Sequence, residues 1–167
     1  MQYRSLGKSG PRVSIVGLGC NNFGGRLDLD GTRKVIDQAL ELGITLFDTS
    51  DSYGVKSGSE EALGRILGAR RKDIVLTTKF GWPLDEEGKM KGASRAYIMS
   101  AIEASLRRLK TDWIDLYVIH VPDPQTPIEE TMRALDDLVR AGKVRHVGCS
   151  NFSAAEIDAA QSTALSN

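Results

Sequence analysis

Short apolar and β-branched runs alternate with helical patterns along the whole chain. The runs cover residues 14–19, 45–47, 73–78, 114–119 and 144–148, and each is apolar enough to suit a strand buried on both faces. Between them lie stripes with helical spacing. Val35, Ile36, Ala39 and Leu40 share a face before Gly43, and Leu63, Ile66 and Leu67 share another before Gly68, so a glycine marks the C-terminus of each helix. Ile98, Ile102, Leu106 and Leu109 form a third stripe after Ser94. Thr126-Pro127-Ile128-Glu129 reads as a capping box with proline at the first helical position, and Ser153-Ala154-Ala155-Glu156 as a second box opening a fifth helix. Residues 3–13, with a turn at Gly7-Lys8-Ser9-Gly10, predict a small β-hairpin ahead of the first unit.

Strand followed by helix, repeated at intervals of roughly 30 to 40 residues, predicts βαβ units and a parallel sheet. A doubly wound sheet uses the same units, but its glycine fingerprint is missing. Gly17, Gly19, Gly24 and Gly25 do not fit G-x-G-x-x-G, and the stretch 20–30 is long for a phosphate loop. The pattern therefore predicts an α/β fold of the parallel (β/α)8 TIM-barrel type with an N-terminal β-hairpin. A full barrel takes about 250 residues and eight units. Five are seen here, and the fifth helix is expected to meet a sixth strand where Ala164-Leu165-Ser166-Asn167 stand. The expectation is a barrel truncated after about five units, forming one partial domain over residues 1–167.

Composition narrows the possible functions. With 167 residues, 41% of them hydrophobic and 26% charged, the chain has the makeup of an ordinary globular domain. Lysine plus arginine equals aspartate plus glutamate at 22 each, so net charge favours neither nucleic acid nor an acidic membrane surface. No apolar stretch approaches the roughly 18 residues of a membrane span, and the start of the chain leads into no apolar signal region, so a cytoplasmic location is expected. Cys20 and Cys149 are too few and too far apart for a disulfide framework or a zinc site, and no metal is expected.

In a parallel β/α barrel all strands end on one rim. That rim would gather Asp48 and Tyr53 after the second strand, Lys79 at the end of the third, His120 after the fourth, and Ser150-Asn151 after the fifth. Each has an ordinary structural explanation taken alone. The 47–54 loop is polar enough for Asx turns, a strand-end lysine can lay its stem along the core, and a lone histidine is usually a satisfied structural residue. Together they suit proton transfer. A tyrosine with a pKa of about 10 is a poor acid near neutrality, and an adjacent ammonium favours its ionised form. Lys79 fits that role, a paired carboxylate such as Asp48 keeps the lysine charged, and His120 can hydrogen-bond a carbonyl oxygen as charge develops there. Such a set protonates a carbonyl oxygen while hydride reaches the carbon, and hydride requires a nicotinamide or flavin.

Gly17-Leu18-Gly19, the Phe47-Asp48-Thr49 to Ser52-Tyr53-Gly54 loop, Thr78-Lys79-Phe80, Asp115-Leu116-Tyr117 to His120 and Gly148-Cys149-Ser150-Asn151-Phe152 together closely resemble the aldo-keto reductases. Order and approximate spacing match along the entire chain. Tyr3-Arg4-Ser5-Leu6-Gly7 and Asn22-Phe23-Gly24-Gly25 resemble the bacterial branch related to the potassium-channel β subunits. The resemblance implies an NADPH-dependent oxidoreductase that reduces aldehydes or ketones to alcohols. It makes Tyr53 the general acid, Lys79 and Asp48 its tuning pair, and His120 the substrate-orienting donor. It further implies that Ser150 and Asn151 bind the nicotinamide carboxamide, while Gly19, Cys20, Asn21 and Asp48 line the cofactor. Asn21 stands where that branch often has tryptophan, and Trp82 is placed to replace part of the apolar wall. The units that would clasp the adenosine end lie outside these residues, so this chain alone is expected to have no useful activity and to self-associate through open barrel edges. A non-catalytic half barrel and a cofactor-sensing partner subunit are the alternative readings.

Overall fold

The computed structural model describes residues 1–88 and 90–165, with the side chain of Leu165 left aside. A two-stranded antiparallel hairpin, β1 (Tyr3–Ser5) and β2 (Arg12–Ser14), precedes five parallel strands: β3 (Gly17–Gly19), β4 (Leu46–Asp48), β5 (Val75–Phe80), β6 (Ile114–Ile119) and β7 (Val144–Cys149). Spatial order equals sequence order, and a helix follows each strand. These are α1 (Leu29–Glu41), α2 (Gly58–Ile66), α3 (Arg95–Leu109), α4 (Ile128–Arg140) and α5 (Ala154–Leu165). Five successive β/α units with neighbouring parallel strands form the arc of a TIM-type barrel. The expected run into a sixth strand falls on Ser166 and Asn167, outside the described residues. Among the described residues no helix is long and apolar enough to cross a membrane.

Register decides what reaches the rim. Gly19 pairs with Asp48, Asp48 with Thr77, Lys79 with Val118, and Ile119 with Cys149, so every strand presents its C-terminal end to the same side. At the opposite rim Asp115 holds three strands together. It binds Arg71 at 2.8 Å and Arg145 at 3.0 Å and accepts the backbone N–H of Leu76, while Arg71 and Arg145 both pack on Trp113. The core fills the space between strands and helices with Phe47, Leu76, Phe80, Ile98, Ile102, Ile114 and Tyr117, and the Phe80 and Tyr117 rings stack at 4.6 Å. The flanking strands β3 and β7 are far more exposed than β5 and β6 between them.

Two sequence expectations need correction. Residues 14–19 do not form one strand. The Ser14 hydroxyl accepts the Thr45 N–H at 2.9 Å and donates to the Val16 carbonyl at 2.6 Å, which bends the chain and leaves Ile15 and Val16 exposed between hairpin and barrel. The box at Thr126 does not form either. Its hydroxyl donates to Asp123 at 2.7 Å, no side chain caps α4, and Pro127 itself takes the capping position. The box at Ser153 is complete: the Glu156 carboxylate accepts the Ser153 N–H at 2.7 Å and the Ser153 hydroxyl accepts the Glu156 N–H at 3.3 Å.

Both predicted glycine stops have positive φ, at +78° for Gly43 and +53° for Gly68. Beyond Gly43 the pair of bonds from Ile44 N to Ala39 O and from Gly43 N to Leu40 O makes a Schellman closure of α1. Helix α3 closes in the same way on Lys110, whose φ of +52° is strained for a residue with a Cβ. Lys110 is exposed, so its side chain offers little packing in return. Lys110→Gly is therefore expected to stabilise the fold by about 0.5–1 kcal/mol, read as a raised urea midpoint with unchanged slope. A lowered midpoint would show that the lysine side chain outweighs the strain.

Candidate active site

Three acceptors converge on the ammonium of Lys79, next to the last residue of β5. Its Nζ donates to Asp48 Oδ2 at 2.8 Å, to the Thr49 carbonyl at 2.9 Å and to the Tyr53 hydroxyl at 3.2 Å. An ammonium has three N–H donors, and all three are engaged. Lys79 is only 8% exposed, so these partners also offset the cost of burying its charge. Nζ lies 4.6 Å from the centre of the Tyr53 ring, which places the phenol face against the cation as well.

The loop carrying Tyr53 is fixed from both sides. Asp51 N donates to the Lys79 carbonyl, Tyr53 N to the Ser50 carbonyl, and Ser59 N to the Tyr53 carbonyl. Across the rim, Val55 N donates to the Gly24 carbonyl, where two backbones nearly touch. A Cβ on Gly24, whose φ is +62°, would lie 2.2 Å from the Gly58 carbonyl carbon, so only glycine fits.

His120 follows β6 and faces Tyr53 edge-on, with ring centres 5.8 Å apart, while the tilted Trp82 ring lies 5.5 Å from it. Tyr53, His120, Trp82, Pro83, Leu84 and Lys56 help line an open cleft of about 450 Å³. Burial and the Lys79 ammonium hold the His120 pKa below the usual histidine value, with Asp48 opposing weakly, so the imidazole is neutral near pH 7. Asp48, Tyr53, Lys79 and His120 thus stand together as one group. The other sequence candidates sit around it. Asn151, with φ of +62°, donates from Nδ2 to the His120 carbonyl at 2.8 Å and to the Ser150 hydroxyl at 3.2 Å. Gly19 and Asn21 are exposed beside Asp48. Cys20 is turned inward: its amide donates to the Asp48 carbonyl, its carbonyl accepts the Ser59 hydroxyl, and burial pushes its thiol up to about 12.

Sequence reading left three neighbours of the group unassigned. Glu60, fully buried, accepts the Thr78 hydroxyl at 2.5 Å and the Arg108 guanidinium at 2.6 Å. Asp51 is 1% exposed and its Oδ2 has no partner among the described residues, and Ser50 is fully buried between Asp51 and His120. Ser50 and Asp51 lie inside the 47–54 motif, but nothing in a polar loop distinguishes a buried serine from an exposed one. Glu60 sits in a helix whose charged residues look like a solvated face.

The sequence matches the Aldo/keto reductase family over residues 15–166. It is 40% identical over 164 residues to the aldo-keto reductase YhdN of Bacillus subtilis (strain 168), covering 95% of this chain and 49% of that protein. It is 38% identical over 159 residues to the L-glyceraldehyde 3-phosphate reductase of Escherichia coli (strain K12), covering 92% of this chain and 46% of that protein. Identity to the uncharacterized oxidoreductase YqkF of Bacillus subtilis (strain 168) is 40% over 154 residues, covering 91% and 49% respectively. The chain spans about half the length of the curated relatives it matches.

Asp51 gives the site a measurable pH dependence. Burial, reinforced by the Glu60 carboxylate, pushes its carboxyl up to about 7, against the smaller opposing pull of Arg108 and local hydrogen bonds. The folded chain then keeps a proton that the unfolded chain has already released, so this residue's contribution to stability is complete below about pH 4 and falls as pH rises through about 7. The fall amounts to roughly 2–4 kcal/mol. Asp51→Asn is expected to remove it, bringing the urea midpoints at pH 5 and pH 8 closer together than in the unaltered protein. An identical decline in the variant would show that Asp51 is not the group responsible.

Proposed function

The chain belongs to the Aldo/keto reductase family, and from that premise we propose that it carries the proton-transfer apparatus of an NADPH-dependent reductase of aldehydes or ketones. The observation that supports this reading is the single ammonium bonded at once to a carboxylate and to a phenol at the mouth of a cleft. In such an arrangement a phenolate formed as the proton leaves would face an ammonium that is itself paired with Asp48.

A substrate carbonyl entering the cleft would meet Tyr53 and His120 together. The neutral imidazole can donate one hydrogen bond to the carbonyl oxygen, which polarises the bond and orients the carbonyl carbon. Tyr53 gives its proton to the same oxygen as negative charge builds there, and Lys79 stabilises the phenolate until solvent returns the proton. Trp82, 48% exposed and leaning on His120, offers the substrate an apolar surface.

A reduced nicotinamide, when bound, supplies hydride to the carbonyl carbon. The donor set at the rim suits such a group. The Ser150 hydroxyl and the Asn151 amide offer a donor and acceptors for a carboxamide, and Asp48, whose side chain is 42% exposed, leaves carboxylate surface for a ribose hydroxyl. Gly19 contributes open space, since a Cβ there would meet nothing within 4 Å. NADPH is preferred over NADH in this reading because of the family pattern.

Tyr53→Phe keeps the ring against Lys79 and removes only the proton. On the whole polypeptide it is expected to lower kcat for NADPH-driven reduction of a simple aldehyde by about 100-fold or more, with KM little changed. Turnover within a few-fold of the unaltered protein would overturn the role given to Tyr53.

A further inference from the structure

Between the rim and the buried carboxyls stands one hydroxyl with more neighbours than it has protons. Ser50 Oγ lies 3.2 Å from His120 Nδ1, 3.3 Å from Asp51 Oδ1 and 2.9 Å from Ser52 Oγ, and it accepts the Ser52 N–H at 3.2 Å. A serine hydroxyl has one O–H to give and two lone pairs to fill. The Ser52 amide occupies one lone pair and the Ser52 hydroxyl is placed to occupy the other. With the Ser52 hydroxyl as donor in that pair, the Ser50 proton goes to either His120 or Asp51.

We propose that Ser50 is a positioning residue for His120: with Asp51 protonated, its hydroxyl donates to Nδ1 and fixes the imidazole as the Nε2–H tautomer, and with Asp51 ionised the carboxylate draws that proton away. The inference rests on the reading of His120 as the donor to substrate, because only the Nε2–H tautomer pairs an accepting Nδ1 with a donating Nε2. The geometry by itself supports the tautomer assignment independently of any reaction.

The charges around both groups set the pH range. Asp51 faces Glu60 on α2, Arg108 and Tyr97 on α3 and Tyr117 on β6, and its carboxyl titrates near 7. Tyr117 stays uncharged there, for its hydroxyl is buried without a partner among the described residues and burial raises its pKa well above ordinary values. His120 faces Lys79 on β5 and Asp48 on β4, and burial together with the Lys79 ammonium holds its pKa below the usual histidine value. As pH falls through about 7, Asp51 becomes a weak acceptor and the Ser50 proton swings to His120. As pH rises the carboxylate competes for it, and Nδ1 loses its fixed donor.

Long-range ¹H–¹⁵N NMR on histidine-labelled protein tests this directly, because the chain has only two histidines and His146→Gln identifies the other. At pH 6.5 His120 is expected to show an acceptor-type Nδ1 and a protonated Nε2, and by pH 8.5 both shifts should move toward a tautomer mixture. Ser50→Ala should give the mixture at both pH values. Asp51→Asn should hold the Nε2–H form at both. A protonated Nδ1 at pH 6.5 in the unaltered protein, or a Ser50→Ala spectrum identical to it, would overturn the proposal. Should Ser50→Ala fail to fold, the unaltered titration and Asp51→Asn decide it: pH-independent shifts in the former, or a pH-dependent tautomer in the latter, count against it. These outcomes are independent of turnover, so loss of the tautomer assignment and loss of the role given to Tyr53 remain distinguishable.

Discussion

A lysine ammonium on an inner strand, nine-tenths buried, is tolerable only when each of its donors finds an acceptor, and the site follows from how Lys79 meets that demand. Its partners come from the end of β4, from the backbone one residue further on, and from a side chain five residues into the loop. Meeting all three fixes the loop's path from Asp48 to Tyr53. Tyr53 thus reaches its position as a ligand of the lysine, and the cleft forms where the phenol and His120 come together. Removing the ammonium would leave an exposed carboxylate, an unpaired carbonyl and a phenol free to rotate.

The scaffold that places Lys79 is asymmetric between its two ends. At the N-terminal rim the charges are mutually satisfied, with Asp115 bound to Arg71 and Arg145 and both guanidinium groups stacked on Trp113. That end clamps β5, β6 and β7. At the C-terminal rim the polar groups are only partly satisfied and face an open cleft. This division between a closed structural end and an open chemical end is what a β/α barrel uses to vary function without losing its fold. Strand β3 lies outside that clamp, and it and β7, the two at the flanks of the sheet, are the most exposed of the longer sheet.

The physics explains which parts of this were legible in the sequence. Period-2 and period-3.6 patterns report burial along one element, so the barrel strands after the first, the helices, the glycine stops and the Ser153 box could be read directly. The first strand was overextended because Ile15 and Val16 look like strand residues, while the paired bonds that tie Ser14 to Thr45 at the bend join residues 31 positions apart. Thr126 fails as a cap because the helix begins one residue later, with Pro127 at the capping position and the Thr126 hydroxyl turned to Asp123. The group of Asp48, Tyr53, Lys79 and His120 was visible because strand ends converge by topology alone. Ser50, Asp51 and Glu60 were not, since whether a polar loop or helix residue is buried depends on what packs over it.

Those three residues show how charge is apportioned behind the cleft. Two cations, Lys79 and Arg108, approach three carboxyls, and each commits to one: Lys79 to Asp48 and Arg108 to Glu60, at 2.8 and 2.6 Å. Asp51 is the carboxyl left over. Buried, beside a second carboxylate and with one oxygen unpartnered among the described residues, it is the one that keeps its proton longest as pH rises. Burial and the Lys79 ammonium oppose positive charge on His120 and leave it a neutral hydrogen-bond donor, while the acid left without a cation stands behind it, within reach of the same Ser50 hydroxyl.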